Sequence, residues 1–366
     1  MENNIYSGQL ALINLAIWVI LIVKYRIVFS NNLCISITRT KYTWPILLLA
    51  LYGVFAYAEA DTYHLEEGYE YMYRTHDIIQ VEPFYFWLIQ TLPNNYILFR
   101  MVVWGSASIL IYFSARRMNL NPETFGLFLA INFLPQFAQT RGTIGFALLM
   151  LALIYVSQSS KKINIIIGLL MIIATYHLHK SIPMFILFIP LAILLPLTKK
   201  VISISLIAFP FFYGMVSYAS EYVLGLSYLS EITVEKGFSY LERESTVDEY
   251  SVIGNIFNVL QYSSILCLFV CLVKFYTNTN IKIKDKTSTL LFKYAYISTY
   301  VAFLFWGQNM SDFLHTRTLH FAVFPTLFAS VYCFQNKERT KFDKITIILL
   351  ALSAFKEISY HVYKWW

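Results

Sequence analysis

Long apolar blocks separated by short polar stretches run the length of this chain, at about 8–28, 42–58, 96–115, 122–139, 143–158, 163–177, 182–197, 201–219, 253–275, 289–307, 318–334 and 345–361. Each is at or near the roughly 20 residues that carry an α-helix through a bilayer. The pattern predicts an all-α, polytopic integral membrane protein of about twelve transmembrane helices, forming a single transmembrane domain over 1–366. Prolines fall inside several blocks. The run 182–197 holds Pro183, Pro190 and Pro196, and Pro135, Pro210 and Pro325 interrupt others; kinked spans are tolerated where neighbouring helices satisfy the freed carbonyls. The first block follows an acidic start, Met1-Glu2-Asn3-Asn4, and so reads as a retained span and not as a cleaved signal.

Composition agrees. The 366 residues are 58% hydrophobic and 13% charged, against roughly 45–50% and about 25% in soluble domains. Twelve spans leave no room for a soluble domain of ordinary size, which excludes soluble dehydrogenases, kinases and nucleic-acid modules. The net charge of +7 then needs a membrane explanation: Lys and Arg collect in loops that stay in the cytoplasm. Alternate loops do differ in sign. One set, exemplified by Lys24 with Arg26, Arg116 with Arg117, Lys161 with Lys162, Lys199 with Lys200 and Lys282 to Lys293, holds most of the 28 basic residues. Of the 21 acidic residues it holds just Glu123, Asp285, Glu338 and Asp343. That set is expected inside, with both termini outside. Cys34, Cys267, Cys271 and Cys333 form no CxxC pair and read as small buried hydrophobes.

Two longer loops are expected on the outer face. The first, about 59–95, is rich in acids and tyrosines and contains Glu82-Pro83-Phe84-Tyr85-Phe86-Trp87-Leu88-Ile89, too short to span and read as an interfacial or re-entrant helix with Pro in its first turn. The second, about 220–251, is acidic and expected to be partly helical.

Ionisable residues beside apolar spans carry a cost and usually a task. Here they crowd the outer face: Arg100 at the third span, Arg141 between the fourth and fifth, His177, His179 and Lys180 after the sixth, and Asp312, His315, Arg317 and His320 around the eleventh. Arginines, histidines and facing carboxylates at one membrane face suit the binding of an anionic lipid head group and chemistry on a hydroxyl, because the guanidinium fork holds phosphate oxygens in two places. Arg141 and Arg317 equally suit anchoring of helix ends by snorkelling. Tyr69, Tyr71, Tyr73, Tyr85 and Trp87 suit either an interfacial aromatic belt or sugar stacking, and Glu59-Ala60-Asp61 either an acidic catalytic pair or a solvated face.

Taken in order, Asp61-x-Tyr63, Tyr69 and Tyr73, Glu82-Pro83-Phe84, Arg141 heading an apolar helix that ends at Lys161-Lys162, His179-Lys180-Ser181, and Arg317 before an aromatic-rich span resemble the EpsG-like, Wzy-type bacterial polysaccharide polymerases. The resemblance covers about 59–190 and the region of Arg317. It implies a GT-C-like helical fold in the bacterial cytoplasmic membrane with the active site facing outside. The implied reaction moves a growing glycan from undecaprenyl diphosphate onto a lipid-linked repeat unit. It implies diphosphate binding by Arg141 and Arg317, with Arg100, Lys180, Tyr63, Tyr69, Tyr73 and Glu82 as further substrate contacts. His179 takes the catalytic position, with Asp61, Glu66 and Glu82 as candidates for acceptor orientation or for the base. The sequence reads Tyr-His-Leu-His-Lys at that point, so His177 competes with His179. No metal and no cofactor are expected. Expected partners are the undecaprenyl-diphosphate-linked oligosaccharide, membrane lipid, and a flippase and chain-length regulator of the same pathway; nucleic acid is not expected. A lipid-linked oligosaccharide flippase, an O-antigen ligase and a membrane O-acyltransferase remain open as alternatives.

Overall fold

A computed structural model describes residues 60–78, 81–120, 140–158, 162–179, 186–227, 268–278, 285–305 and 311–335, together with 28–29, 35–36 and the single positions 182, 348 and 352. Among these the protein is helical apart from one minimal hairpin, in which β1 (Val28–Phe29) pairs antiparallel with β2 (Ile35–Ser36). The helices are α1 (Ala60–Thr75), α2 (Pro83–Thr91), α3 (Tyr96–Arg117), α4 (Thr140–Ser157), α5 (Lys162–Leu178), α6 (Phe188–Leu194), α7 (Lys199–Ser227), α8 (Leu268–Thr277), α9 (Lys286–Phe305) and α10 (Ser311–Gln335). The expected spans at 8–28, 42–58 and 122–139, and nearly all of 345–361, lie outside the described residues.

Burial identifies the solvent these helices were selected for. On α3 the ladder Phe99, Val103, Ala107, Ile111 and Ala115 is buried, as is its neighbour Tyr96, Arg100, Trp104 and Ser108, while Ile97, Met101, Ile109 and Phe113 are exposed. Polar groups therefore face inward and large apolar ones outward, the reverse of a soluble helix. α7 carries this further: Ile204, Leu206, Ile207, Phe211, Met215 and Tyr218 are all exposed, Ile207 at 81%. An apolar surface of that extent is a membrane-facing one. Of the described helices, α3 and the Lys199–Tyr218 part of α7 are long and apolar enough to cross a bilayer by themselves; at 1.5 Å per residue, the 22 residues of α3 span about 33 Å.

α4 and α9 form the centre. α4 is buried on nearly all sides and packs against α3, α5, α9 and α10, while α9 holds α6, α7 and α10. Two glycines make the α4–α5 contact close. A Cβ at Gly168 would lie 2.7 Å from Val156 Cγ2 and 3.0 Å from the Ala152 carbonyl oxygen; one at Gly145 would lie 2.3 Å from Ile182 Cδ1. Small residues at such crossings let backbones approach where lipid supplies no hydrophobic driving force.

Side-chain bonds fix which helix ends coincide. Arg117 at the end of α3 lies 3.6 Å from the Tyr155 ring centroid, and Gln158 Nε2 donates to the Arg117 carbonyl at 3.1 Å, so α3 and α4 run parallel. Ser157 Oγ donates to Thr287 Oγ1 at 2.9 Å, which sets α9 antiparallel to α4. Ser205 and Tyr296 share a hydroxyl bond of 2.5 Å and Phe209 packs edge-on to Tyr300 at 5.4 Å, so α7 runs with α9. Consequently Arg116, Arg117, Lys162, Lys199, Lys200 and Lys286 gather at one end of the bundle. The starts of α3, α4 and α10 and the end of α5 gather at the other.

One expectation about the elements needs correction. The stretch 59–95 is mostly helix, since α1 precedes the short Pro83 helix. Its Tyr69 and Met72 supply a buried stripe, and Gln90 Nε2 of α2 donates to the Met72 carbonyl at 2.7 Å. The α1 helix ends where His76 takes φ 59 and its N–H returns to the Met72 carbonyl, a left-handed C-terminal cap. Within the 182–197 block, Ile182 and Ile186 are helical and α6 ends at Leu194, two before Pro196, because proline disfavours helix in the residue ahead of it. Helix α7 continues to Ser227, so the second loop segment is helical at its start, in line with the expectation that it is partly helical.

Candidate functional site

Three rings meet where α4, α5 and α10 converge. Phe146 of α4 lies offset-stacked on His179, centroids 6.0 Å apart at 30°, and edge-on to Phe321 of α10 at 4.5 Å and 88°. The local sequence explains why the ring fits there. Long helical side chains lean toward the N-terminus, and the Phe146 ring leans over Gly142, where a Cβ would sit 2.6 Å from its Cε2. Gly145 meanwhile admits Ile182, Leu178 and His179 against the α4 backbone. The run Arg141-Gly142-Thr143-Ile144-Gly145-Phe146 is thus shaped to bring α4 onto the end of α5.

The two histidines separate cleanly. The His179 N–H donates to the Thr175 carbonyl at 3.2 Å, so the last turn of α5 closes on His179. Residues two apart on a helix diverge by about 200°. His177 is accordingly exposed, with the edge of Tyr176 against it, while His179, 8% exposed, lies in the ring layer.

The arginine positions follow from the same helices. Arg317 occupies the position four residues before Phe321, on the stripe of α10 that meets α4, about 6 Å further toward that end of the bundle. Arg141 stands four residues before Gly145, on the stripe of α4 that meets the His179 segment. Arg100 lies at a comparable height on α3: 17 residues separate it from Arg117 and 14 separate Arg141 from Tyr155, about 26 and 21 Å along parallel helices. It is 1% exposed and lies 5.9 Å from the Tyr96 ring centroid.

A carboxylate cluster flanks Arg100. Glu66 on α1 is half-buried, and burial together with the neighbouring Glu70 pushes its carboxyl above the usual range, while the Arg100 guanidinium pulls it down. Glu82 is buried at the N-cap of α2; one turn later Tyr85 packs on Phe99 at 6.3 Å, which sets this helix start beside the start of α3. Tyr69 departs from its expected role in sugar contact. It is 1% exposed, packed on Tyr96 and Phe99, and its hydroxyl donates to the Pro93 carbonyl and accepts from Asn95 N–H, both at 3.1 Å. It is a strut that ties α1 to the start of α3. Tyr73, half-buried, stacks against it at 6.4 Å. Asp61 and Tyr63 hold positions in the first turn of α1, and Lys180 lies outside the described residues. Among the described residues no group of three or more His, Cys, Asp or Glu could hold a metal ion.

The structure therefore brings His179 and the positions of Arg141 and Arg317 to one three-helix junction, with Glu66, Glu82 and Arg100 at the same end of the bundle. The ring layer of Phe146 and Phe321, and the two glycines that seat it, are absent from the sequence expectations; a Gly-x-x-Gly-Phe step directly after Arg141 is the signal that points to them. No curated protein and no solved structure matches the chain. The model of one family, described as the EpsG family, matches residues 40–365, nearly the whole length, and the protein belongs to that family.

Proposed function

We propose that this protein is a polysaccharide polymerase that moves a growing glycan from undecaprenyl diphosphate onto the nonreducing end of a lipid-linked repeat unit, at the outer face of the bacterial cytoplasmic membrane. Membership of the EpsG family carries the coarser statement, a polymerase-type, glycosyltransferase-like role in exopolysaccharide biosynthesis. The observation that supports the finer one is the junction of α4, α5 and α10, where His179 and the positions of Arg141 and Arg317 share the end of the bundle opposite the Lys and Arg cluster. By the tendency of basic residues to remain in the cytoplasm, that end is the outer one. A twelve-span, GT-C-like arrangement is part of the same reading.

The chemistry asks little else of the protein. A lipid diphosphate is a good leaving group, so its departure needs positive charge held in place, the part given to Arg141 and Arg317. The acceptor hydroxyl must lose a proton, the part given to His179. On this reading Asp61, Glu66 and Glu82 orient the acceptor, and Tyr63, Tyr73 and Lys180 contact the glycan or its carrier. A flippase is favoured less, because it needs cationic groups along a cavity reaching both faces, and here the arginine positions cluster at one end. An O-antigen ligase or O-acyltransferase would share the outer residues but leave chain length unchanged when lost.

The test replaces Arg141 and Arg317 by Lys, singly, and compares glycan ladders at matched protein level. Loss of most long glycan in each is expected, since a compact ammonium cannot reproduce bidentate contact. Normal ladders from both would return these residues to helix anchoring and remove the diphosphate site.

A further inference from the structure

In the reaction read above, His179 is neutral before the transfer and charged during it. The acceptor O–H proton passes to an imidazole nitrogen, the acceptor oxygen forms a bond to the anomeric carbon, and the bond from that carbon to the diphosphate breaks with its electron pair leaving on the diphosphate oxygen. An imidazolium must therefore form inside a buried layer. His179 is 8% exposed, and burial disfavours the charged form. The elements around it carry the positions of Arg141 on α4, of Arg317, His315, His320 and Asp312 on α10, and Glu82 at the start of α2, which packs against α5; Lys180 follows in the chain.

Phe146 answers this problem. The two ring centroids lie 6.0 Å apart in a stacked arrangement with an interplanar angle of 30°, at the outer edge of the range over which an aromatic ring attracts a cation. The ring cannot wander: Phe321, 3% exposed, meets it edge-on at 4.5 Å, and Gly142 provides the space it leans into. Phe146 also belongs to both elements of the problem, since its helix carries Arg141 and its neighbour Phe321 belongs to the helix that carries Arg317. We propose that Phe146 is the positioning residue of the transfer, holding the imidazole of His179 against its face and stabilising the imidazolium formed when the acceptor loses its proton. This rests on the reading of His179 as the base.

The experiment uses right-side-out membrane vesicles from cells that make the lipid-linked repeat unit, so that the medium sets the pH at the outer face. The rate at which repeat units enter polymer is followed between about pH 5 and 9 for the wild type, Phe146→Leu, Phe146→Tyr, Gly142→Ala and His179→Gln. A base acts in its neutral form, so the rate rises with pH through the His179 ionisation. Phe146→Leu withdraws support from the imidazolium, and the acidic limb should move to lower pH by about half a unit, a threefold change in the protonation equilibrium. The plateau should fall about two- to threefold. Phe146→Tyr keeps the ring face and should restore the wild-type limb. Gly142→Ala leaves the ring in place chemically but displaces it, and should shift the limb in the same direction as Phe146→Leu. Should Phe146→Leu fail to accumulate, the Gly142→Ala and Phe146→Tyr profiles decide alone. A rate lowered equally at every pH in Phe146→Leu and Gly142→Ala would overturn the proposal and leave Phe146 as packing. Polymer at the wild-type rate from His179→Gln would overturn the base assignment itself, a separate result.

Discussion

The approach of α4 to the end of α5 rests on Gly145, and adding one methyl group there tests it. A Cβ at this position meets Ile182 Cδ1 at 2.3 Å, Leu178 Cβ at 3.5 Å and His179 Cβ at 3.7 Å. Only the first is a clash: Cδ1 has to retreat by about 1.1 Å to reach ordinary contact. Ile182 is fully buried, so it has no open space to turn into, and overpacking of this kind costs about 1–3 kcal/mol. Alanine returns roughly 1 kcal/mol through helix propensity, leaving Gly145→Ala about 0–2 kcal/mol less stable. Ile182→Val removes the clashing atom, at a cost of about 1 kcal/mol alone. In the double variant the new methyl fills the space the old one left, so the pair should be nearer to wild type than either single change, with a coupling of about 1–2 kcal/mol. Thermal unfolding of the four purified proteins in detergent, followed by loss of soluble protein, reads this directly. Effects of Gly145→Ala and Ile182→Val that simply add in the double variant, or a double variant worse than both singles, would refute the close contact at His179.

Three further outcomes follow from the outer cap and the ends of the bundle. Tyr69→Phe removes the hydroxyl that bridges the Pro93 carbonyl and Asn95 N–H and should lower the unfolding temperature by the equivalent of about 1–3 kcal/mol while leaving the length of glycan per surviving molecule unchanged; a shortened ladder at normal stability would return Tyr69 to substrate contact. Because the Glu66 carboxyl is raised above its ordinary value of 4.5, the folded state binds the proton more tightly than the unfolded chain, so its contribution is present below about pH 4.5 and is lost as pH rises through the elevated folded value. Glu66→Gln should therefore flatten the fall in stability over that window, measured as unfolding temperature against pH, and an unchanged profile would contradict the assigned environment. In a cysteine-free background, an impermeant thiol reagent applied to intact cells should label Asp77→Cys and spare Lys162→Cys, both exposed positions; the reverse pattern would invert the protein and move the junction to the inner face.

How much of this was legible in the chain depended on which force placed each residue. Spans α3, α4, α5, α9 and α10 match the apolar blocks to within a few residues at most ends, because lipid demands a continuous apolar helix and writes it into composition. Helix α1 escaped that reading. Its buried stripe consists of Tyr69 and Met72 among glutamates, a 3.6-residue period hidden by charge, and its existence depends on Gln90, Pro93 and Asn95 far along the chain. Within the site, the types and common end of Arg141, His179 and Arg317 could be read from order and loop charge. The choice between His177 and His179 could not, as it depends on whether helix persists past Leu178. The role of Gly145 was equally hidden, because close approach is a property of two segments 35 residues or so apart, not of either one.

The central claim is that His179, at the junction that also bears Arg141 and Arg317, takes the acceptor proton in polymer formation. The most direct measurement compares His179→Ala with His177→Ala in cells that make the polymer, following the glycan ladder, protein level and lipid-linked repeat unit at the outer surface together. The account predicts that His179→Ala leaves single repeat units exposed at the surface with no long glycan and an unchanged amount of protein, while His177→Ala, whose ring faces away, yields a near-normal ladder. Full-length polymer from His179→Ala, or repeat units retained inside the cell, would contradict it: the first removes His179 from the chemistry, and the second replaces polymerisation by transport.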